Sequence, residues 1–247
     1  MDVTRTTPRR IAILLTSNDA SSFAKRFPDD GYKFRTLLEP LAPACLFTVV
    51  PVRDSVFPAR AADYDGYVIT GSPASVNAPE AWIQQLLEFI RELDSARIPT
   101  VGVCFGHQAI ALALGGRVAP IADGWQLGTA TTEFFDTAPW MEPRSSSLSL
   151  YAAHGEEVTH LPAGARLLGR SVHCRLAAYR IGDHFFTTEY HPEMTLDFMS
   201  ALATHLEPKL GPAVTARARE QLAQPVEGAV FGHWMMRFLQ RSFGGST

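Results

Sequence analysis

One stretch limits what this chain can fold into more than any other: Ile98 to Gly116, IPTVGVCFGHQAIALALGG. Val101 and Val103 flank Gly102, and Phe105-Gly106-His107-Gln108 leads straight into AIALALGG. This reads as a short buried strand, a tight turn carrying Cys104, and a helix that starts at once, with Gly115 and Gly116 suited to its C-cap. Gly102-Val103-Cys104-Phe105-Gly106 has the layout of a nucleophile elbow, in which glycines on either side remove Cβ atoms that would clash. The turn is expected to push the Cys104 side chain into solvent. The free N–H groups of the following helix would favour a thiolate there, so a lowered pKa is expected. On its own the same pattern also fits a buried cysteine in an α/β core.

The elbow sits in a matching frame. Ile11–Thr16, Leu46–Val52, Gly66–Thr70 and Pro99–Val103 read as strands. Ser17 to Gly31 and Arg53 to Asp65 read as loops; Tyr32–Leu41 and the segment opened by Ala78-Pro79-Glu80 carry helical apolar spacing. Strand–helix alternation of this kind implies a parallel sheet covered on both faces by right-handed crossovers. Gly71-Ser72-Pro73 follows the third strand, where small residues let backbone N–H groups approach a ligand. On its own the motif is better read as a plain β-turn.

Beyond Gly116 the pattern changes to short strands: around Val118-Ala119, GWQLG at Gly124–Gly128, Thr129–Phe135, Leu148–Ala152, Ala165–Arg170, Leu176–Ile181 and His184–Thr188. The last two are joined as a hairpin by Gly182-Asp183. Asp136 to Ser149, with two prolines and a serine run, is expected to be an exposed loop. From Thr195 the chain reads as helical, with segments at Leu196–Leu206, Val214–Leu222 and Phe231–Phe243; the last should pack back on the domain.

Composition excludes several classes. The formal net charge is -3 with no basic block, so nucleic acid is not an expected partner. Apolar runs such as AIALALGG are far too short to span a bilayer, and MDVTRTTPRR is not followed by an h-region of signal-peptide type. Cys45, Cys104 and Cys174 are three, widely spaced and without a C-x-x-C pair. That argues against a disulfide framework or a zinc site and for a reducing cytoplasm.

A cysteine nucleophile needs a base, and the base needs a partner to fix its tautomer. His191 ends a predicted strand, Pro192 stiffens the exit and Glu193 follows, which would make a Cys-His-Glu triad with Cys104. Taken alone, His-Pro-Glu is equally a strand-exit turn with solvated charges. His107 is expected to pack locally; His160, His173, His184, His205 and His233 have no ligand spacing, and Trp125 and Trp234 read as packing residues.

The joint pattern resembles the class I (triad) glutamine amidotransferases, in their free-standing, GMP-synthase-like form. It is carried by TGSP at Thr70–Pro73, GVCFGHQAIALALGG around Cys104, HGEEV at His154–Val158 and YHPE at Tyr190–Glu193. The resemblance implies a three-layer, flavodoxin-like α/β fold: a mostly parallel central sheet with helices on both faces, an antiparallel strand extension and a helical C-terminal tail. The whole chain would be one domain, with a core over about residues 10–194 and a helical extension over about 195–243.

By the same resemblance, Cys104 would form a γ-glutamyl thioester, with His191 as acid and base and Glu193 orienting it. Backbone N–H groups of Phe105 and of the Gly71-Ser72 turn would hold the oxyanion, each worth ~3 kcal/mol. Gln108 and His154 would line the substrate pocket. No metal or organic cofactor is implied. The ligand would be glutamine or a γ-glutamyl small molecule, and a homo-oligomer is possible through the tail helix.

This chain departs from the resembled pattern in three places. Gly71-Ser72-Pro73 stands where many members have Gly-Gly-Pro, and Ala153-His154-Gly155-Glu156 where Ser-His-x-Asp is common. After Glu193 only about fifty residues remain, too few for an ammonia-using catalytic domain. Either ammonia goes to a separate synthase subunit, or the chain hydrolyses another γ-glutamyl amide, as a γ-glutamyl peptidase would. A catalytically silent binding module and a redox cysteine protein of related fold are the competing classes.

Overall fold

In the computed structural model, which describes residues 8–122 and 124–241, the first strand already shows why the sheet is covered on both faces. In β1 (Arg9–Leu14), Ile11 and Ile13 enter one core while Ala12 and Leu14 enter another. Alternate residues of a strand point to opposite faces, so a strand apolar at every position must be buried twice. β2 (Cys45–Val50), β3 (Gly66–Ile69) and β4 (Thr100–Val103) pair with it in parallel.

The helices between them form the outer layers. α1 (Asp30–Leu38) starts where the Asp29 carboxylate accepts from the Tyr32 N–H at 2.8 Å. It lies on the first face, where α6 (Gly228–Arg241) also places Phe231, Trp234, Phe238 and Leu239. α2 (Ala81–Ala96) and α3 (Phe105–Ala113) cover the second face. Each fully buried Trp or Phe on α6 contributes about 1.5–3 kcal/mol, largely offset by the entropy of ordering the chain. The part of that expected helix running on to Phe243, and the leader before Pro8, lie outside the described residues.

The later strands are β5 (Arg117–Pro120), β6 (Gln126–Phe134), β7 (Ser147–His154), β8 (Glu156–His160), β9 (Ala165–Arg170), β10 (Ala178–Ile181) and β11 (Phe185–Thr188). The main sheet has the order β2-β1-β3-β4-β11-β10-β9-β6-β7. It is parallel as far as β11 and antiparallel beyond it, so the flavodoxin-like half carries the expected antiparallel extension. β5 and β8 make a separate two-stranded sheet.

Two expectations change. The QLG of GWQLG and Thr129–Phe134 form one continuous strand, β6, because β7 pairs with it from Gln126 to Glu133. The Asp136–Ser149 segment is not simply an exposed loop: Trp140 and Met141 are buried. The Trp140 ring lies 4.4 Å from Phe186 and 5.1 Å from Phe238, so the segment closes the α6 side of the core.

α4 (Leu196–Leu210), capped by the Thr195 side chain, and α5 (Pro212–Gln221) pack over β6 and β7 through Met199, Ala203 and Ala218. Among the described residues, no helix is long and apolar enough to cross a membrane.

Candidate active site

Strand register decides which residues meet. β11 runs beside β4 with Thr188 opposite Val103, and the Cys104 N–H donates to Thr188 O at 2.9 Å. The chain after β11, Glu189-Tyr190-His191-Pro192-Glu193, is thereby delivered to the carboxyl end of β4, where the elbow turns. Tyr151 on β7 fixes the next step, its carbonyl accepting the His191 N–H at 2.8 Å.

Cys104 has φ 49 and ψ −105, a conformation that costs a non-glycine residue about 1–3 kcal/mol and marks a strained turn. The flanking glycines are needed sterically. A Cβ on Gly102 would lie 2.6 Å from the Ile110 side chain and 2.7 Å from the Gly106 backbone. A Cβ on Gly71 would lie 2.7 Å from His191 Cε1 and 3.7 Å from Cys104 Cβ, so this backbone runs directly against both side chains. Thr16 Oγ1 donates to Gly71 O at 2.8 Å and Ser72 Oγ to Thr16 O at 2.9 Å, tying the Gly71-Ser72 turn to the end of β1.

His191 and Glu193 form a close pair, with Nδ1 2.7 Å from Glu193 Oε1. A carboxylate accepts, so Nδ1 carries the proton and Nε2 presents a lone pair. That Nε2 is buried and has no partner among the described residues.

Cys104 departs from the expectation of an exposed, acidic thiol. It is only 4% exposed. Burial, then the carboxyls of Glu189 and Glu193, push its pKa well above the ordinary thiol range; the Phe105 N–H, bonded to the sulfur, acts the other way. The helix-terminus effect was legible locally, whereas the opposing carboxyls arrive from another strand.

Glu189 is the residue that sequence reasoning missed. It is fully buried, and its Oε1 accepts from Gln108 Nε2 at 2.9 Å. Its Oε2 lies 3.6 Å from His107 Nε2. Thr187 Oγ1 donates to Tyr179 O, so it must accept from His107 Nδ1 at 2.9 Å, which leaves His107 Nε2 bare. That nitrogen and Oε2 are both buried without a hydrogen-bond partner among the described residues. Burial raises the Glu189 pKa well above the carboxylate range and lowers that of His107 to about 3. The period-two spacing of Glu189, His191 and Glu193 could have flagged it, because it turns alternate side chains to one side.

These groups floor a cleft of about 960 Å³ lined by Gly71, Ser72, Cys104, Gln108, His154 and His191 among others. Glu193 stands behind His191 and does not line it, and the Phe105 side chain turns away to stack on Trp82 at 5.5 Å. Gln108 Nε2 donates to Glu156 O as well as to Glu189, so its amide is committed to the protein. His154 Nδ1 bonds Glu156 O at 2.9 Å, leaving Nε2 as an acceptor, and burial lowers its pKa to about 4. Trp125 and His205 also reach the cleft. Among the described residues, no group of three or more His, Cys, Asp or Glu is arranged to hold a metal ion.

Comparison with known proteins places the chain as follows. The family model described as glutamine amidotransferase class-I matches residues 38–202, well over half of the chain. Gamma-glutamyl peptidase 3 of Arabidopsis thaliana is 32% identical over 142 residues, 55% of this chain and 57% of that protein. A glutamine-hydrolyzing GMP synthase of Thermomicrobium roseum is 34% identical over 129 residues, 52% of this chain and 23% of that protein. The chain thus spans about half the length, or less, of these curated relatives. A glutamine amidotransferase structure from Methylobacillus flagellatus superposes with a TM-score of 0.72 at 21% identity, covering 98% of this chain and 96% of that one. At that identity the likeness speaks for the fold alone.

Proposed function

The chain belongs to the class-I glutamine amidotransferase family, and on that premise we propose that it hydrolyses glutamine or a related γ-glutamyl amide through a thioester on Cys104. One observation carries the reading: an imidazole tied to Glu193 at 2.7 Å offers an unpartnered Nε2 on the floor where Cys104 and Gly71 meet.

The raised thiol pKa makes the resting group a thiol. Sγ then attacks the γ-carbonyl carbon as its proton passes to His191 Nε2. The carbonyl oxygen takes the negative charge and is held by backbone N–H groups of Phe105 and of the Gly71-Ser72 turn. The C–N bond breaks as His191 returns the proton to the leaving nitrogen. Water attacks the thioester, giving its proton to Nε2; glutamate leaves and the proton returns to sulfur. Glu193 holds Nδ1–H throughout and stabilises the imidazolium.

A glutamine-like diazo-ketone tests this. The native chain should be labelled and should release ammonia or amine from γ-glutamyl donors. Cys104→Ala should lose both, with turnover down by at least about four orders of magnitude. A native chain that is never labelled would favour a silent binding module. Turnover of glutamine only with an added synthase would identify a subunit that feeds ammonia to a partner. The unpaired state of Cys45, Cys104 and Cys174 supports a reducing, cytoplasmic setting.

A further inference from the structure

The cleft has two ends that differ in chemistry. At one, Gln108, His154, Glu156 and Ser75 form a polar, hydrogen-bonded wall beside Cys104. At the other stand α4 and the segment before α1. Here the Phe27 and Phe198 rings meet edge-on at 5.2 Å, and Phe23 stacks on His205 at 4.4 Å. Leu202 and Leu206 continue this wall along α4. Phe27, Phe198, Leu202 and Leu206 are only half-buried, so apolar surface is left facing the cavity.

Proton transfer says which end is which. The group that protonates a leaving nitrogen must face it, so the amine half departs on the side of His191. Asp30, on α1, is close enough to feel both His191 and Glu193. It is paired at 2.8 Å with Lys33, whose Nζ lies 3.6 Å over the Phe198 ring. Met194, next after Glu193, also lines the cleft. The Phe27 and Phe198 end of the aromatic wall therefore stands on the imidazole side, while Lys209, over the Trp125 ring at 4.5 Å, closes its other end.

Ammonia has no use for such a wall. A cavity of about 960 Å³ lies at the upper end of the roughly 300–1,000 Å³ that holds drug-sized ligands, far beyond what free glutamine fills. Resting on the hydrolase reading above, we propose that the substrate is a γ-glutamyl amide whose amine half is aromatic or an extended apolar group. That half lies against Phe27, Phe198, Leu202 and Leu206, while the glutamyl half lies toward Gln108 and His154.

The test is kcat/KM of the full chain, read as glutamate release, for γ-glutamyl-phenylalanine, γ-glutamyl-alanine and glutamine. The phenylalanine donor should exceed glutamine by about tenfold or more, the scale on which apolar pockets discriminate. Phe198→Ala and Leu202→Ala should each lower the phenylalanine-to-alanine ratio severalfold, and a ratio taken within one variant is unaffected by loss of folded protein. Glutamine turned over as well as the aromatic donor would overturn the inference and leave the hydrolase reading standing; it is the result expected if the wall instead receives a synthase partner. A ratio unmoved in both variants would overturn the assigned wall. No turnover of any donor, together with no diazo-ketone labelling of Cys104, would remove the hydrolase reading and this inference with it.

Discussion

The floor of the cleft is laid down by the sheet, whereas its outer wall is held by ring contacts. On the floor, Cys104 and His191, with the fully buried Glu189 behind them, are placed by backbone hydrogen bonds from Cys104 to Thr188, His191 to Tyr151 and Glu189 to Ala177. Along the wall, Phe23, Phe27, Phe198 and His205 meet through rings 4.4–5.8 Å apart, carried by a helix and a loop segment. Backbone pairing tolerates almost no displacement. Ring contacts are worth about 0.5–1.5 kcal/mol each and can rearrange. A floor of the first kind suits chemistry that is the same for every donor, and a wall of the second kind suits a variable substituent.

Mutations can break or sharpen that contrast. The largest floor effect short of removing the nucleophile should come from Glu193→Gln. An amide can donate to Nδ1 and so favour the wrong tautomer, and it cannot balance the imidazolium; kcat should fall by about three to four orders of magnitude. A loss of only a fewfold would mean that the pair at 2.7 Å does not govern the reaction.

Gly71→Ala comes next. Its added methyl would press on His191 Cε1, and a displacement of the imidazole near an ångström costs about 100-fold in kcat. The loss should be alike for every donor, unlike the selectivity change expected of Phe198→Ala. A selectivity change at Gly71 would erase the distinction between floor and wall.

Glu189→Gln should have the smallest effect on rate, within about threefold at neutral pH. The amide oxygen still accepts from Gln108, and the amide fills the same volume as the carboxyl. Its signature lies in stability against pH. Burial raises the Glu189 pKa above its ordinary 4.5, so the stability it contributes is full below that pH and is lost as pH rises through the folded value. Melting midpoints should therefore fall less for the variant than for the native chain as pH is raised above about 5. Parallel curves would mean that Glu189 is ionised in the fold and balanced by a charge on His107.

Much of the fold was legible because its rules are local. The unbroken apolar run IAIL, glycines around Cys104, and the change from strand–helix units to short strands each reflect sterics within a few residues. The arrival of Glu193 beside His191 was also local, two positions apart. What escaped depended on distant parts of the chain. The thiol's electrostatics depend on its burial and on Glu189 and Glu193, which only β11 pairing brings to the end of β4. Trp140, in a proline- and serine-rich run that reads as solvent-facing, is held by Phe186 and Phe238. The aromatic wall required knowing which face of α4 looks at the cleft, and nothing in the Leu196–Leu206 spacing says so.

The place of β11 between β4 and β10 has a consequence for biosynthesis. β4 leaves the ribosome long before its neighbour, so the middle of the sheet stays an open seam while β5 to β10 are made. Until Thr188 slots in, the cysteine has no imidazole beside it. On the proposed mechanism a half-made chain would carry its thiol without its base, and the pair would be assembled only as the central gap is closed.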